Sequence, residues 1–299
     1  MLRPTALIPV IFGLAAFVLT MLCIFAGSKP NFMQDYSIIT LNTSRIGTNV
    51  FNTTSSSNSD SNIFESIWDS ITNSIESDLN SDINSLAKEL GLHDFYSVHL
   101  LDYCEGFYTP TSLPNATVHK SEIKQNVTGC SNRTAGFQFD PEAALQRELN
   151  KSHTGFTLQD LHWPKQVNQG IHTLRIAQKA AFVLYCIAAA LILFASLISL
   201  LSLFVHGRVF AVVNTLLWIL AFIASVLASA ITTAVATKAR NVVNKHGRSV
   251  GVEASRGGRF MALSWVATAL CFLNVFVWVF ECLRGRRRER YGSGQVVGK

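Results

Sequence analysis

Cys104 and Cys130 are the only thiols in residues 27–176, the long polar stretch of this 299-residue chain. In an oxidising compartment two such thiols favour pairing with each other. The bridge would enclose 25 residues. On the loop-entropy model it would restrict the unfolded chain by roughly 3.5 kcal/mol. That is a large share of the stability of a small domain. Two free thiols are the alternative. Glu105, next to Cys104, reads as structural rather than catalytic. His93 and His99 lie six apart in HDFYSVH. They could bind a metal or titrate near neutral pH, or simply be polar surface groups, which is the plainer reading. The chain has no His-Glu-x-x-His, Cys-x-x-Cys, P-loop or Gly-x-Ser-x-Gly. No catalytic residue, metal site or cofactor is therefore assigned, and a non-enzymatic protein is expected.

The elements that would carry these residues are dominated by four charge-free apolar runs, at 6–26, 180–205, 209–236 and 260–280. A 21-residue helix reaches about 31 Å, close to the ~30 Å hydrocarbon core of a bilayer. Four transmembrane helices follow. The first run has a rival reading: Arg3 precedes it and Ala26-Gly27-Ser28 follows, as in a cleaved signal. It exceeds the roughly 7–15 apolar residues of a signal core, so a retained first helix is expected. Cys23, Cys186 and Cys271 fall within the runs, where cysteine is usually a small packing residue. Asn214 and Asn274 are the only Asn residues there, and no ionisable Asp, Glu, Lys or Arg lies near a midplane. That argues against proton-coupled transport. The two amides could bond between helices. Ala221, Ser225 and Ser229, with Ala224 and Ala228, recur every four residues. Small residues at that spacing permit close helix packing, either within the bundle or between molecules.

Charge and sequons set the expected orientation. Residues 27–176 carry 16 acidic and 10 basic residues, while the rest of the chain is strongly basic and brings the total to +6. Basic groups next to spans point to anionic lipid rather than nucleic acid. Asn-x-Ser/Thr occurs at Asn42, Asn52, Asn115, Asn126, Asn132 and Asn150, all inside 27–176, which places that loop outside. The expected layout is a cytosolic N-terminus 1–5, spans 6–26, 177–205, 209–236 and 260–282, and an extracellular loop 27–176. A cytosolic turn 206–208, a short basic extracellular loop 237–259 and a basic cytosolic tail 283–299 complete it. Arg3, Arg208 and the tail obey the positive-inside rule. The 237–259 loop does not: it has Lys238, Arg240, Lys245, Arg248, Arg256 and Arg259 against Glu253 alone. Contact with the acidic first loop, or with anionic wall or lipid groups, would reconcile it.

Within the first outer loop, 42–62 is a Ser/Asn/Thr-rich stretch expected to be a flexible stalk. Ile63, Ile67, Ile71, Ile75, Leu79 and Ile83 recur every four residues, predicting an amphipathic helix that Gly91 ends. Asp140-Pro141-Glu142 should open a further helix, with Asp as the cap and Pro in the first turn. Thr157 with Asp160 forms a loose capping pair before the second span. In the tail, Arg284, Arg286, Arg287, Arg288 and Arg290 could draw anionic inner-leaflet lipid at ~1 kcal/mol each. Their simpler role is to set orientation. Cys282 beside them is a candidate palmitoylation site.

The run Tyr103-Cys104-Glu105-Gly106 with Gly129-Cys130-Ser131, the segment FQFDP (137–141) and the segment GVEASRGGRFMALSW (251–265) resemble the fungal Sur/PalI family over nearly the whole chain. The architecture is also similar to that of animal claudins. The resemblance implies no catalytic residues. Its Sur branch implies a plasma-membrane protein of static cortical, eisosome-type domains that affects wall integrity, membrane organisation and endocytosis. Its PalI branch implies ambient-pH or wall-stress signalling, often with a longer cytosolic tail than the stretch after Cys282. The expected fold is an all-α integral membrane protein: a four-helix bundle with a large, partly helical, disulfide-tied extracellular first loop. Expected partners are anionic lipid and copies of itself or other cortical membrane proteins, with the cell wall a further candidate and no nucleic acid. A small channel is a third reading.

Overall fold

The computed structural model describes residues 7–30, 32–45, 92–110, 119, 122–151, 165–202, 204, 208–248 and 251–294. The stalk beyond residue 45, the predicted helix over 63–90 and the Thr157–Asp160 pair lie outside the described residues. Among the described residues, four helices are long and apolar enough to cross a membrane. These are α1 (Leu7–Phe25), α3 (Lys165–Leu201), α4 (Arg208–His246) and α5 (Gly258–Gly294); the shorter α2 spans Pro141–Lys151. The four form a ring: α1 touches α3 and α5, and α4 touches the same two. Leucine, isoleucine and phenylalanine side chains face outward along every helix, among them Leu14, Phe194, Leu220 and Phe276. Small and polar residues face inward. This is the pattern expected where lipid, not water, surrounds the bundle.

The inward polar groups are joined across helices. With its amide oriented to satisfy its neighbours, Asn214 of α4 donates to the Ala195 carbonyl of α3. Its oxygen accepts from Ser199 and from Trp278 Nε1 of α5. Asn274 of α5, oriented likewise, donates to the Pro9 carbonyl and accepts from the Gly13 amide of α1. Ser225 and Ser229 share the Thr268 hydroxyl at 2.7 and 3.2 Å. Both asparagines therefore bond between helices. The stripe of Ala221, Ser225 and Ser229 is buried against the neighbouring helices, which is the intramolecular of its two readings.

At one end of the bundle stands a five-stranded sheet, which the sequence reading did not anticipate. Its strands are β1 (Ile39–Asn42), β2 (Phe95–Val98), β3 (Tyr103–Thr109), β4 (Lys124–Cys130) and β5 (Glu253–Arg256). The order is β4-β3-β2-β1-β5, every pair antiparallel. β5 comes from the loop between α4 and α5, so both long connections lie on the same side of the bundle. The basic 237–259 loop thus meets the acidic first loop: its strand pairs with β1, and Arg259 forms an ion pair with Asp35. Contact with the first loop is one of the explanations expected for the basic loop, and the two do meet.

Period-two alternation gives the sheet two unlike faces. Ile39, Leu41, Tyr96, Val98, Tyr103 and Ala254 pack into one core with Ala144 and Leu145 of α2. Asp140 caps α2 by accepting from the Ala143 amide at 3.2 Å, as its position before Pro141 predicts. Helix α4 continues beyond its apolar run, and Ala239 and Val243 of its last turns pack on the same core. Beyond the edge strand β5, the Asn244 amide accepts from the Ala254 N–H at 2.6 Å and donates to the Ala254 carbonyl at 3.0 Å. A side chain thus takes the place of a sixth strand at a buried residue.

Asn244→Ala leaves both of these backbone groups without a partner. An unsatisfied buried group costs about 1–3 kcal/mol. The variant is expected to lower the thermal midpoint of the detergent-solubilised chain, read by circular dichroism, while a nearby exposed change such as Lys245→Ala leaves it within about 0.5 kcal/mol of the parent.

Candidate functional site

The chemistry-bearing residues cluster in this head, on the two faces of the sheet. Cys104 and Cys130 sit directly opposite each other on β3 and β4 and form a disulfide. It pins the edge strand β4 to the sheet. Alternation puts it on the face away from Tyr103, where the connection after α1 covers it. Cys104 Sγ lies 3.4 Å from the Gly27 carbonyl, and Gln34 Nε2 lies 3.6 Å from Cys104 Sγ.

The rest of the Tyr103–Gly106 motif has separate tasks. The Tyr103 ring packs against Phe137 and Phe139, and its hydroxyl accepts from Arg147 at 3.0 Å. Those phenylalanines belong to the FQFDP segment, whose Asp140 also pairs with Arg175 at the start of the second span. Gly106 follows a register shift. A Cβ there would lie 2.0 Å from the Asn126 carbonyl oxygen and 2.9 Å from the Phe95 ring, so no larger residue fits.

Glu105 projects to the α2 side. With His93 and Glu148 it forms a group whose ligating atoms all lie within 4.8 Å of one another. His93 Nδ1 is 3.5 Å from one Glu148 oxygen, and Lys151 donates to the other at 2.8 Å. Burial lifts the Glu105 carboxyl above its usual range, opposed chiefly by His93. Burial likewise lifts the Tyr96 phenol, helped by the charge of Glu148. Sequence reasoning singled out His93 and Glu105 separately. It missed Glu148, which sits among apolar positions of α2 and is only 5% exposed.

His99 lies elsewhere. The β2–β3 turn, His99–Asp102, inserts into the mouth of the bundle, where Leu100 and Leu101 meet Ile24, Tyr185 and Phe260. Gly27 makes room for it: its φ is +78°, and a Cβ there would fall 2.3 Å from the imidazole ring. Burial pushes His99 down to about 4. It also pushes Asp102 up to about 6, opposed by Arg133. Neither side chain makes a hydrogen bond of ordinary geometry among the described residues. His99 is therefore a buried neutral group and not the surface residue its sequence context suggested.

Of the sequons, Asn126, Asn132 and Asn150 are exposed, Asn126 on the edge strand β4. Asn42 is half-buried, and its oxygen accepts from the Ser44 amide and hydroxyl at 3.0 and 2.7 Å. Asn52 and Asn115 lie outside the described residues. Cys282 is half-buried near the far end of α5, whose backbone continues as helix through Arg284, Arg286, Arg287, Arg288 and Arg290. Beneath the sheet runs an apolar crevice walled by Ile38, Val98, Leu100, Ala236 and Val243, with Arg175 at its margin.

Compared with models of known protein families, the chain matches the one described as the SUR7/PalI family over residues 5–277. No curated protein matches it.

Two predictions follow from the thiols and the buried turn. Cys104→Ser, Cys130→Ser and the double variant should each lose about the same stability, roughly 3.5 kcal/mol; a double variant markedly worse than either single one would mean that the thiols act separately. His99 keeps a folded value below its ordinary one of about 6.5. The stability tied to its neutral form is therefore present above that pH and lost as pH falls toward 4. Asp102 keeps a folded value above its ordinary one, so its contribution is present at low pH and lost as pH rises from about 4 to 6. The two slopes offset each other in the parent chain. Asp102→Asn should gain stability from pH 4 to 6.5 and His99→Asn should lose it, in thermal midpoints measured across that range.

Proposed function

Because the chain belongs to the SUR7/PalI family of membrane proteins, we propose that it is a non-enzymatic organiser of the plasma membrane. On this reading it holds static cortical domains of the eisosome type in place, with effects on wall integrity, membrane organisation and endocytosis. Both termini face the cytosol, the sheet faces the wall, and N-glycans on the exposed sequons extend from it. The observation that carries the reading is the joining of both outer loops into one sheet seated on the bundle. Such a head is a rigid platform, suited to persistent contact rather than to opening and closing around a substrate.

The remaining surfaces fit the same role. Outward apolar side chains cover all four spans, and lateral association with copies or with other cortical membrane proteins would use them, since the small-residue stripe is buried. At the opposite end the five arginines of the tail would meet anionic inner-leaflet lipid, aided by palmitoylation at Cys282. Many weak lateral and lipid contacts then hold a domain together through multivalency.

A second reading, PalI-type sensing of ambient pH or wall stress, is favoured by one observation. Two titratable side chains with opposed shifts, His99 and Asp102, sit where the head meets the bundle.

Fluorescent tagging in living fungal cells separates the two. Immobile cortical patches that do not recover after photobleaching support the organiser, and a diffuse, freely recovering signal refutes it. Loss of the alkaline-pH response on deletion, with cortical patches unchanged, supports the sensor. Replacing Arg284, Arg286, Arg287, Arg288 and Arg290 by Gln should weaken binding to phosphatidylserine-containing vesicles by about 1 kcal/mol for each charge that reaches the surface. It should also speed recovery in the patches.

A further inference from the structure

The group formed by His93, Glu105 and Glu148 does more than an ion pair between a helix and a sheet requires. Its members arrive from three elements: His93 from the approach to β2, Glu105 from β3 and Glu148 from α2. Their ligating atoms lie within 4.8 Å of one another. A tetrahedral zinc ion with N and O ligands at about 2.0–2.2 Å sets those ligands roughly 3.3–3.6 Å apart. His93 Nδ1 and Glu148 Oε2 are already 3.5 Å apart. Lys151 bonds the other Glu148 oxygen, from a side chain that is 61% exposed, so the oxygen facing His93 is not taken by it.

A second observation points to a ligand independently. Tyr96 is only 1% exposed, and its hydroxyl has no partner but the backbone of His93, in poor geometry. It is the direct cross-strand partner of Glu105, and its ring meets that of His93 edge-on at 6.1 Å. Glu105 Oε2 is also buried without a hydrogen bond, and His93 Nδ1 has only its 3.5 Å contact with Glu148. A buried carboxylate oxygen left without a hydrogen bond beside so loosely paired an imidazole is unusual in a folded protein, and a bound ion is among the ordinary explanations.

We propose that His93, Glu105 and Glu148 bind a divalent transition-metal ion of the zinc type, with a water completing its coordination. One imidazole and two carboxylates suit zinc better than calcium, which takes six to eight oxygens, or magnesium, which keeps most of its own water. Bound there, the ion clips α2 to the sheet on the face opposite the disulfide.

The test uses the full untagged chain in detergent micelles, stripped with a chelator. Added Zn²⁺ should raise its thermal midpoint where Mg²⁺ and Ca²⁺ do not, and Co²⁺ should give the intense visible absorption of a four-coordinate site at one ion per chain. Glu105→Gln and Glu148→Gln should each weaken Co²⁺ binding by about tenfold or more, with the far-ultraviolet spectrum unchanged. Should Glu148→Gln not fold, the half-buried Glu105→Gln carries the test alone. Absence of any Zn²⁺-dependent shift, or Co²⁺ binding that Glu105→Gln leaves intact, overturns the proposal.

Discussion

Four residues of the second loop, Glu253–Arg256, form the ladder on which the head depends. They pair antiparallel with Ile39–Asn42, Ile39 opposite Arg256 and Asn42 opposite Glu253. Without that ladder the outer edge of β1 would expose its backbone groups over an apolar core. The pairing also fixes the geometry on either side. Gly257, immediately after the strand, donates to the Ile38 carbonyl, and α5 begins at Gly258. Before the strand, the Val252 amide bonds the Gly247 carbonyl at the end of α4. The sheet and two of the four spans are therefore one continuous hydrogen-bonded unit, not a domain on a tether.

The bundle beneath follows a different rule. Apolar residues gain nothing by leaving lipid for one another, so its specificity rests on close packing and on a few polar contacts. Asn214 links α3, α4 and α5, while Asn274 reaches the backbone of α1. Each contact contributes modestly, about 0.6–2 kcal/mol. Together they set which helices are neighbours. The turn His99–Asp102 then fits between helix ends, so the head and the bundle constrain each other.

The head itself divides its chemistry by the pleat. One face carries the disulfide and the small polar side chains Thr40 and Ser97, beneath the connection that follows α1. The other carries the aromatic core, α2 and the group around Glu105. Adjacent residues of one short motif therefore do unrelated things: Tyr103 fills the core, Cys104 crosslinks, Glu105 meets His93 and Glu148, and Gly106 lets a neighbouring strand approach.

Much of this was legible in the residues alone. Bilayer thickness demands about 20 apolar residues per span, so four charge-free runs predict four helices whatever else the chain does. Two lone cysteines in the same loop predict their own bond, and Asp140-Pro141 announces α2 through local capping. The sheet was not legible, because β1, β2 and β5 are four residues each, too short for a period of two to stand out. Its β1–β5 pairing joins residues more than 200 positions apart. The burial of His99, Asp102 and Glu148 was hidden for the same reason: polarity is a property of a residue, but exposure depends on what distant segments come to cover it. Local physics decided the spans, the cap and the crosslink. Non-local strand pairing decided which side chains share a face, and with that where any ligand could bind.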